Sequence, residues 1–132
     1  MHQFDLKDRI AIITGGAQGF GLNIAKKFLN SGANVIIWDI DEKELQNAVK
    51  EINNQKLTYN LVDVSNFEEV NKAVIEINKS SNIDILVNNA GITGPTAELW
   101  NYSINDWNKV VEINLNGTFN CCKSIVPNMI KN

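Results

Sequence analysis

Apolar residues in the first part of the chain fall in short unbroken runs, and between the runs they recur every three or four positions. Arg9-Ile10-Ala11-Ile12-Ile13-Thr14 shows no alternation, the pattern of a strand covered on both faces. From Phe20 the period becomes helical, with Leu22, Ala25, Phe28 and Leu29 on one face and Ser31-Gly32 closing it. Asn34 to Asp39 predicts a second strand, and Asp41-Glu42-Lys43-Glu44 a capped start for a helix carrying Leu45, Ala48, Val49 and Ile52. Leu57 to Val62 predicts a third strand. Ser65-Asn66-Phe67-Glu68 reads as a capping box ahead of Val70, Ala73, Val74 and Ile77. The fourth strand is Ile83 to Asn88.

Strands alternating with amphipathic helices predict βαβ units and a parallel sheet, because such crossovers are right-handed in about 98% of cases. With strands two and three on one side of strand one and strand four on the other, the order is 3-2-1-4. The expectation is one doubly wound α/β domain over residues 1–132, without linker or repeat, and a crevice between strands one and four. Beyond it, Ser103-Ile104-Asn105-Asp106 opens a last long helix whose apolar face is Trp107, Val110, Val111, Thr118, Cys122 and Ile125. Asn114 falls on that stripe, as a satisfied structural amide or a site residue. Gly117 implies a close backbone approach, and Pro127 is expected to kink or end the helix.

Chemistry concentrates at Thr14-Gly15-Gly16-Ala17-Gln18-Gly19-Phe20-Gly21, where the first strand turns into its helix. A helix start has N–H groups without internal partners and about half a positive charge, so it attracts phosphate. Glycines at 15, 19 and 21 permit the tight turn and the approach of a pyrophosphate; alone, such a loop is equally a plain strand-to-helix connection. Asp39 ends the second strand roughly 20 residues on, where a carboxylate accepts from ribose hydroxyls, or else starts a turn or caps the next helix. A 2′-phosphate would meet like charge there, and no Lys or Arg stands at 16–18 or 38–42, so NAD is expected over NADP. Asp63-Val64 can flank an adenine or form a simple turn. Asn88-Asn89-Ala90-Gly91 offers two amides, then two small residues against which a flat cofactor can lie.

The totals narrow the partners. A net charge of −3 over 132 residues gives no basic field for nucleic acid or an anionic membrane. No apolar stretch is long enough to cross a bilayer and the start lacks a signal-peptide layout, so a cytoplasmic protein is expected. The adjacent Cys121 and Cys122 have no metal-ligand spacing, and the single histidine, His2, sits at a terminus expected to fray; no metal site is expected.

The loop from Thr14 to Gly21, Asp39, Asp63, the Asn88 to Gly91 stretch and Asn114-Leu115-Asn116-Gly117 together resemble the N-terminal half of the short-chain dehydrogenase/reductase family, from about Leu6 onward. Phe20 stands where that family more often has Ile, Leu or Val. The resemblance implies a Rossmann-like sheet and hydride transfer between nicotinamide and an alcohol or carbonyl, in the manner of a 3-oxoacyl reductase. By it, Gly15, Gln18, Gly19, Phe20 and Gly21 form the coenzyme loop, Asp39 selects the ribose, Asp63 and Val64 flank adenine, Asn89, Ala90 and Gly91 lie beside the adenosine ribose, and Asn114 is the Asn of an Asn-Ser-Tyr-Lys catalytic tetrad. The family continues into a fifth strand with a Ser and a helix with Tyr-x-x-x-Lys. Here Tyr59 and Tyr102 are followed four residues on by Asp63 and Asp106. The chain is therefore expected to be truncated before the fifth strand and inactive by itself, and to associate as a homo-oligomer or with a completing C-terminal half, since the edge of strand four would be unpaired. Two other readings are a non-catalytic dinucleotide-binding module and a methyltransferase, though the latter leaves Asn88 to Gly91 and Asn114 without a role.

Overall fold

Alternate residues of the two inner strands bury into different cores, which is why those runs are apolar throughout. In a computed structural model describing residues 4–132, β1 (Ile10–Thr14) sends Ile13 to one side and Ile12 to the other, and both are fully buried. β2 (Asn34–Asp39) does the same with Val35 and Ile37 against Trp38. Each such side chain stabilises the fold by roughly 1.5–3 kcal/mol. β3 (Leu57–Leu61) and β4 (Ile85–Val87) complete a four-stranded parallel sheet of order β3-β2-β1-β4. Register is set by pairs such as Ile12 with Ile36 and Ile12 with Leu86. The expected order and fold class are those observed.

Helices α1 (Gly19–Asn30) and α2 (Glu42–Ile52) cover one face, closing a core around Ala25, Leu29, Leu45 and Ala48. On the other, α3 (Phe67–Asn78) and α5 (Gly117–Lys131) bring Val70, Val74, Cys121 and Ile125 onto Trp38 and Ile12. Between β4 and α5 the chain forms a 3-10 turn at Leu99–Asn101, then α4 (Ile104–Val111), then a π-helical segment at Glu112–Asn116.

Several boundaries differ from expectation. β4 is shorter than Ile83 to Asn88, because the Asp84 side chain replaces ladder partners at its start: the Asp84 carboxylate accepts from Ile10 N–H at 2.8 Å and from Arg9 at 3.1 Å. The cap of α3 is Asn66, not Ser65. Its side chain accepts from the N–H groups of Glu68 and Glu69 at 3.1 and 3.3 Å, while Ser65 donates to Asp63. The last helix is not one regular element. In the π segment Gly117 N–H donates to Glu112 O, five residues back, and the extra residue turns the buried face after it. Gly117, Asn120, Cys121 and Ile125 are therefore buried in place of Thr118 and Cys122, and Trp107 stays 55% exposed. Pro127 neither ends nor caps α5, which runs on to Lys131. Pro127 lies on the exposed side, where water can serve the Lys123 carbonyl that loses its helical partner.

Candidate functional site

The turn out of β1 is tied to the ends of two other strands, β4 and β2. Thr14 Oγ1, buried, accepts from the N–H groups of Asn89 and Ala90 at 3.0 and 2.9 Å. The Asn89 amide donates to Thr14 O and Gly15 O, both at 3.0 Å. Thus the end of β4 holds the end of β1. Gly15 has φ +61°, and a Cβ there would stand 2.9 Å from Ala90 Cα. Gly21 packs against the Gly15 carbonyl and the Asn89 amide, where a side chain would not fit. From β2, Trp38 O accepts from Gly16 N–H at 3.1 Å and Asp39 Oδ2 from Ala17 N–H at 3.2 Å.

The loop delivers an open helix start. Leu22 N–H to Gln18 O, at 3.3 Å, opens the α1 ladder and leaves the N–H groups of Gly19, Phe20 and Gly21 ahead of it. Gln18 makes no side-chain cap, the first turn holds no acid, and nothing lies within 4 Å of a Cβ built at Gly19. This terminus faces a cavity of about 980 Å³, bordered by Gly15, Gln18 and Phe20.

The other predicted site residues lie around the same space. Asp39, Asp63 and Val64 line it from the ends of β2 and β3, and Asn89, Ala90 and Gly91 from the end of β4. Gly19 and Gly21 shape the loop behind it. Asp39 Oδ1 also accepts from Ile40 and Asp41 N–H at 2.9 and 3.3 Å. With the Ala17 bond, these three use part of a carboxylate's roughly four acceptor sites. Asp63 Oδ1 accepts from the N–H and hydroxyl of Ser65 at 2.9 and 2.6 Å, so this residue also builds the turn into α3.

Asn114 lies at the end of this arrangement rather than on the cavity wall. The residue is exposed, yet both ends of its amide are engaged: Oδ1 accepts from Ile92 N–H and Nδ2 donates to Ile92 O, each at 2.8 Å. It fixes the strand after Gly91 to the π segment. Trp100, 80% exposed, takes no part in the cavity, and Tyr102 stacks edge-on against Trp107 with 6.4 Å between ring centroids.

Two features escaped the sequence reading. Asn120 is buried and donates to Val64 O at 2.9 Å and Ser65 O at 3.3 Å, next to the close approach expected at Gly117, where α5 sits on Val64, whose Cγ2 would be 2.7 Å from a Cβ at 117. The signal was an amide three residues after a helical glycine. The second is the α4 wall, where Asn105, Asn108, Lys109, Glu112 and Ile113 line the cavity. Among the described residues no group of three or more His, Cys, Asp or Glu is placed to hold a metal; His2 lies outside them. No described helix is long and apolar enough to cross a membrane.

This turn, helix start and acid-ended second strand have a counterpart in known proteins, since the short chain dehydrogenase family profile matches residues 9–132. The chain belongs to that family. Among short-chain dehydrogenase relatives, the 3-oxoacyl-[acyl-carrier-protein] reductase FabG of Chlamydia muridarum is 38% identical over 130 residues, covering 96% of this chain and 52% of that protein. The 2-dehydro-3-deoxy-L-rhamnonate dehydrogenase (NAD(+)) of a Sphingomonas species is 35% identical over 125 residues, covering 94% and 49%. Among solved structures, the Pseudomonas aeruginosa RhlG/NADP active-site complex superposes with a TM-score of 0.88 at 30% identity, covering 99% of this chain and 52% of that one. The chain spans about half the length of the relatives it matches.

Proposed function

We propose that this chain is the dinucleotide-binding half of an NAD(P)-dependent oxidoreductase that moves a hydride between nicotinamide and a small-molecule alcohol or carbonyl, in the manner of a 3-oxoacyl reductase. The observation that carries the reading is the uncapped, acid-free start of α1 at the mouth of the cavity, with Asp39 bound to the loop beside it. In this reading the N–H groups at Gly19, Phe20 and Gly21 bind the diphosphate, and Gly15 and Gln18 shape the turn. Asp39 accepts from the adenosine ribose, Asp63 and Val64 border the adenine, and Asn89, Ala90 and Gly91 form the floor on the β4 side. Bound nicotinamide supplies or accepts the hydride. Asn114 acts by holding Ile92, which fixes the backbone beyond that floor.

Asp39 supports NAD over NADP, because a second anion beside its carboxylate costs up to several kcal/mol. A cytoplasmic location belongs to the same reading and is supported by two free thiols, Cys121 and Cys122. Association with a second copy or a completing chain is supported by the apolar side chains that α4, the π segment and α5 turn outward, including Ile104, Leu115 and Phe119, and by β4, which pairs with β1 alone among the described strands. No tyrosine of the chain has a lysine four residues on, which supports a chain that binds without turnover by itself. That same observation favours the second reading, a non-catalytic binding module.

Calorimetric titration with NADH, NADPH and S-adenosylmethionine tests this. NADH is expected to bind at least about tenfold more tightly than NADPH, with no NADH oxidation in the presence of carbonyl substrates. Equal affinities would remove the NAD preference, and failure of both dinucleotides would remove the reading itself.

A further inference from the structure

We propose that Lys109 reads the adenosine end of the dinucleotide, its ammonium donating to the purine ring. This rests on the dinucleotide reading above. Asn105, Asn108 and Lys109 of α4, with Glu112 and Ile113 of the π segment after it, line the cavity at helical spacing and are polar except the last, while Val110 and Val111 are half-buried. Ile104 and Trp107 of the same helix and Leu115 just after it are instead 78%, 55% and 66% exposed.

The charge around the cavity is one-sided. Asp39, Asp41, Asp63 and Glu112 bring carboxylates to it, and among the described residues Lys109 is the one cation in its lining. Among the described residues the ion pairs involve Arg9, Lys26 and Lys79, so Lys109 is not consumed by one. Its place along the crevice follows from the backbone. Gly117 seats α5 on Val64 and Asn120 holds Val64 O and Ser65 O, so the helix leading into α5 stands over the end of β3. A diphosphate at α1 and a ribose at Asp39, on β2, put the base one strand further out, under that helix. Lys109 is one turn before Ile113. A lysine has three donors and no acceptor, and a neutral purine edge presents ring-nitrogen acceptors. The same ammonium offsets four acids that would otherwise repel an anionic ligand.

The test compares binding of ADP-ribose and of reduced nicotinamide mononucleotide, which lacks adenosine, to the unmodified chain, Lys109→Met and Lys109→Arg. Lys109 is exposed, and thermal melts of the variants verify folding. Lys109→Met is expected to weaken ADP-ribose about tenfold and leave the mononucleotide unchanged, while Lys109→Arg stays within about threefold. Unchanged ADP-ribose affinity in Lys109→Met, with NADH still bound by the unmodified chain, overturns the role of Lys109 alone. Equal losses for both ligands also overturn it, because they report a general charge effect. If the unmodified chain binds neither ADP-ribose nor NADH, the dinucleotide reading falls with it.

Discussion

The start of α1 and the starts of α2 and α3 are built to opposite plans on the same sheet. Asp41 accepts from Glu44 N–H at 3.1 Å, and Asn66 from Glu68 and Glu69, so α2 and α3 meet their first N–H groups with their own side chains. Both also place two acidic residues in the first turn. α1 has Gln18 at the equivalent position, extended at φ −155° and ψ 174°, with no side-chain bond and no acid. A cap is worth about 1 kcal/mol, and omitting it at one helix of three is a local sacrifice of stability. The difference leaves the positive end of α1 unfilled by the chain's own side chains, as the proposed diphosphate site requires, while the other two are closed by theirs.

Filling the gap breaks the contrast most sharply. Gln18→Asp is expected to raise stability by about 0.5–1 kcal/mol through a new cap and to weaken NADH about tenfold or more through repulsion of the diphosphate; urea melts and calorimetry read the two signs. A gain in both stability and affinity would break the comparison. Removing a cap where no ligand is expected gives a smaller effect of one kind. Asn66→Ala should lose about 1 kcal/mol in urea denaturation and change NADH affinity by no more than about threefold.

The smallest effect concerns the core that both plans share. Burial, and then the neighbouring Cys122, pushes the Cys121 thiol up to about 12 from 9.0. Unfolding frees that thiol to ionise, so the unfolded state binds fewer protons above pH 9 and stability falls as pH rises from about 9 toward 12. Cys121→Ala should flatten this slope in denaturation midpoints measured at pH 8 and 10, and Cys122 should react first with a thiol reagent.

The parts legible in the sequence are those whose physics is local. Arg9 to Thr14 declares a strand covered on both faces because every position is apolar or at an end, and Asp41 declares a helix start because its partner is three residues away. The glycines of Thr14 to Gly21 are legible from the turn they make, although Gly15 and Gly21 also answer to the approach of Ala90 and Asn89. What was illegible depends on distant contacts or on phase. A 3.6-residue period cannot register the wide turn at Glu112–Asn116, so the stripe drawn through Thr118 and Cys122 missed Gly117, Asn120 and Cys121. Asn120 matters only through the carbonyls of Val64 and Ser65, more than fifty residues earlier. Nothing local in the polar face of α4 says that a cavity lies beside it. Ser65 and Asn66 both suit a cap, and only the bond from Ser65 to Asp63 decides between them.

The wide turn at Glu112–Asn116 makes the count of residues there matter as well as their identity. Deleting one would let an ordinary spiral run straight through, rotating everything downstream by about 100°. The glycine would swing off the valine it touches, and the buried amide would point at water.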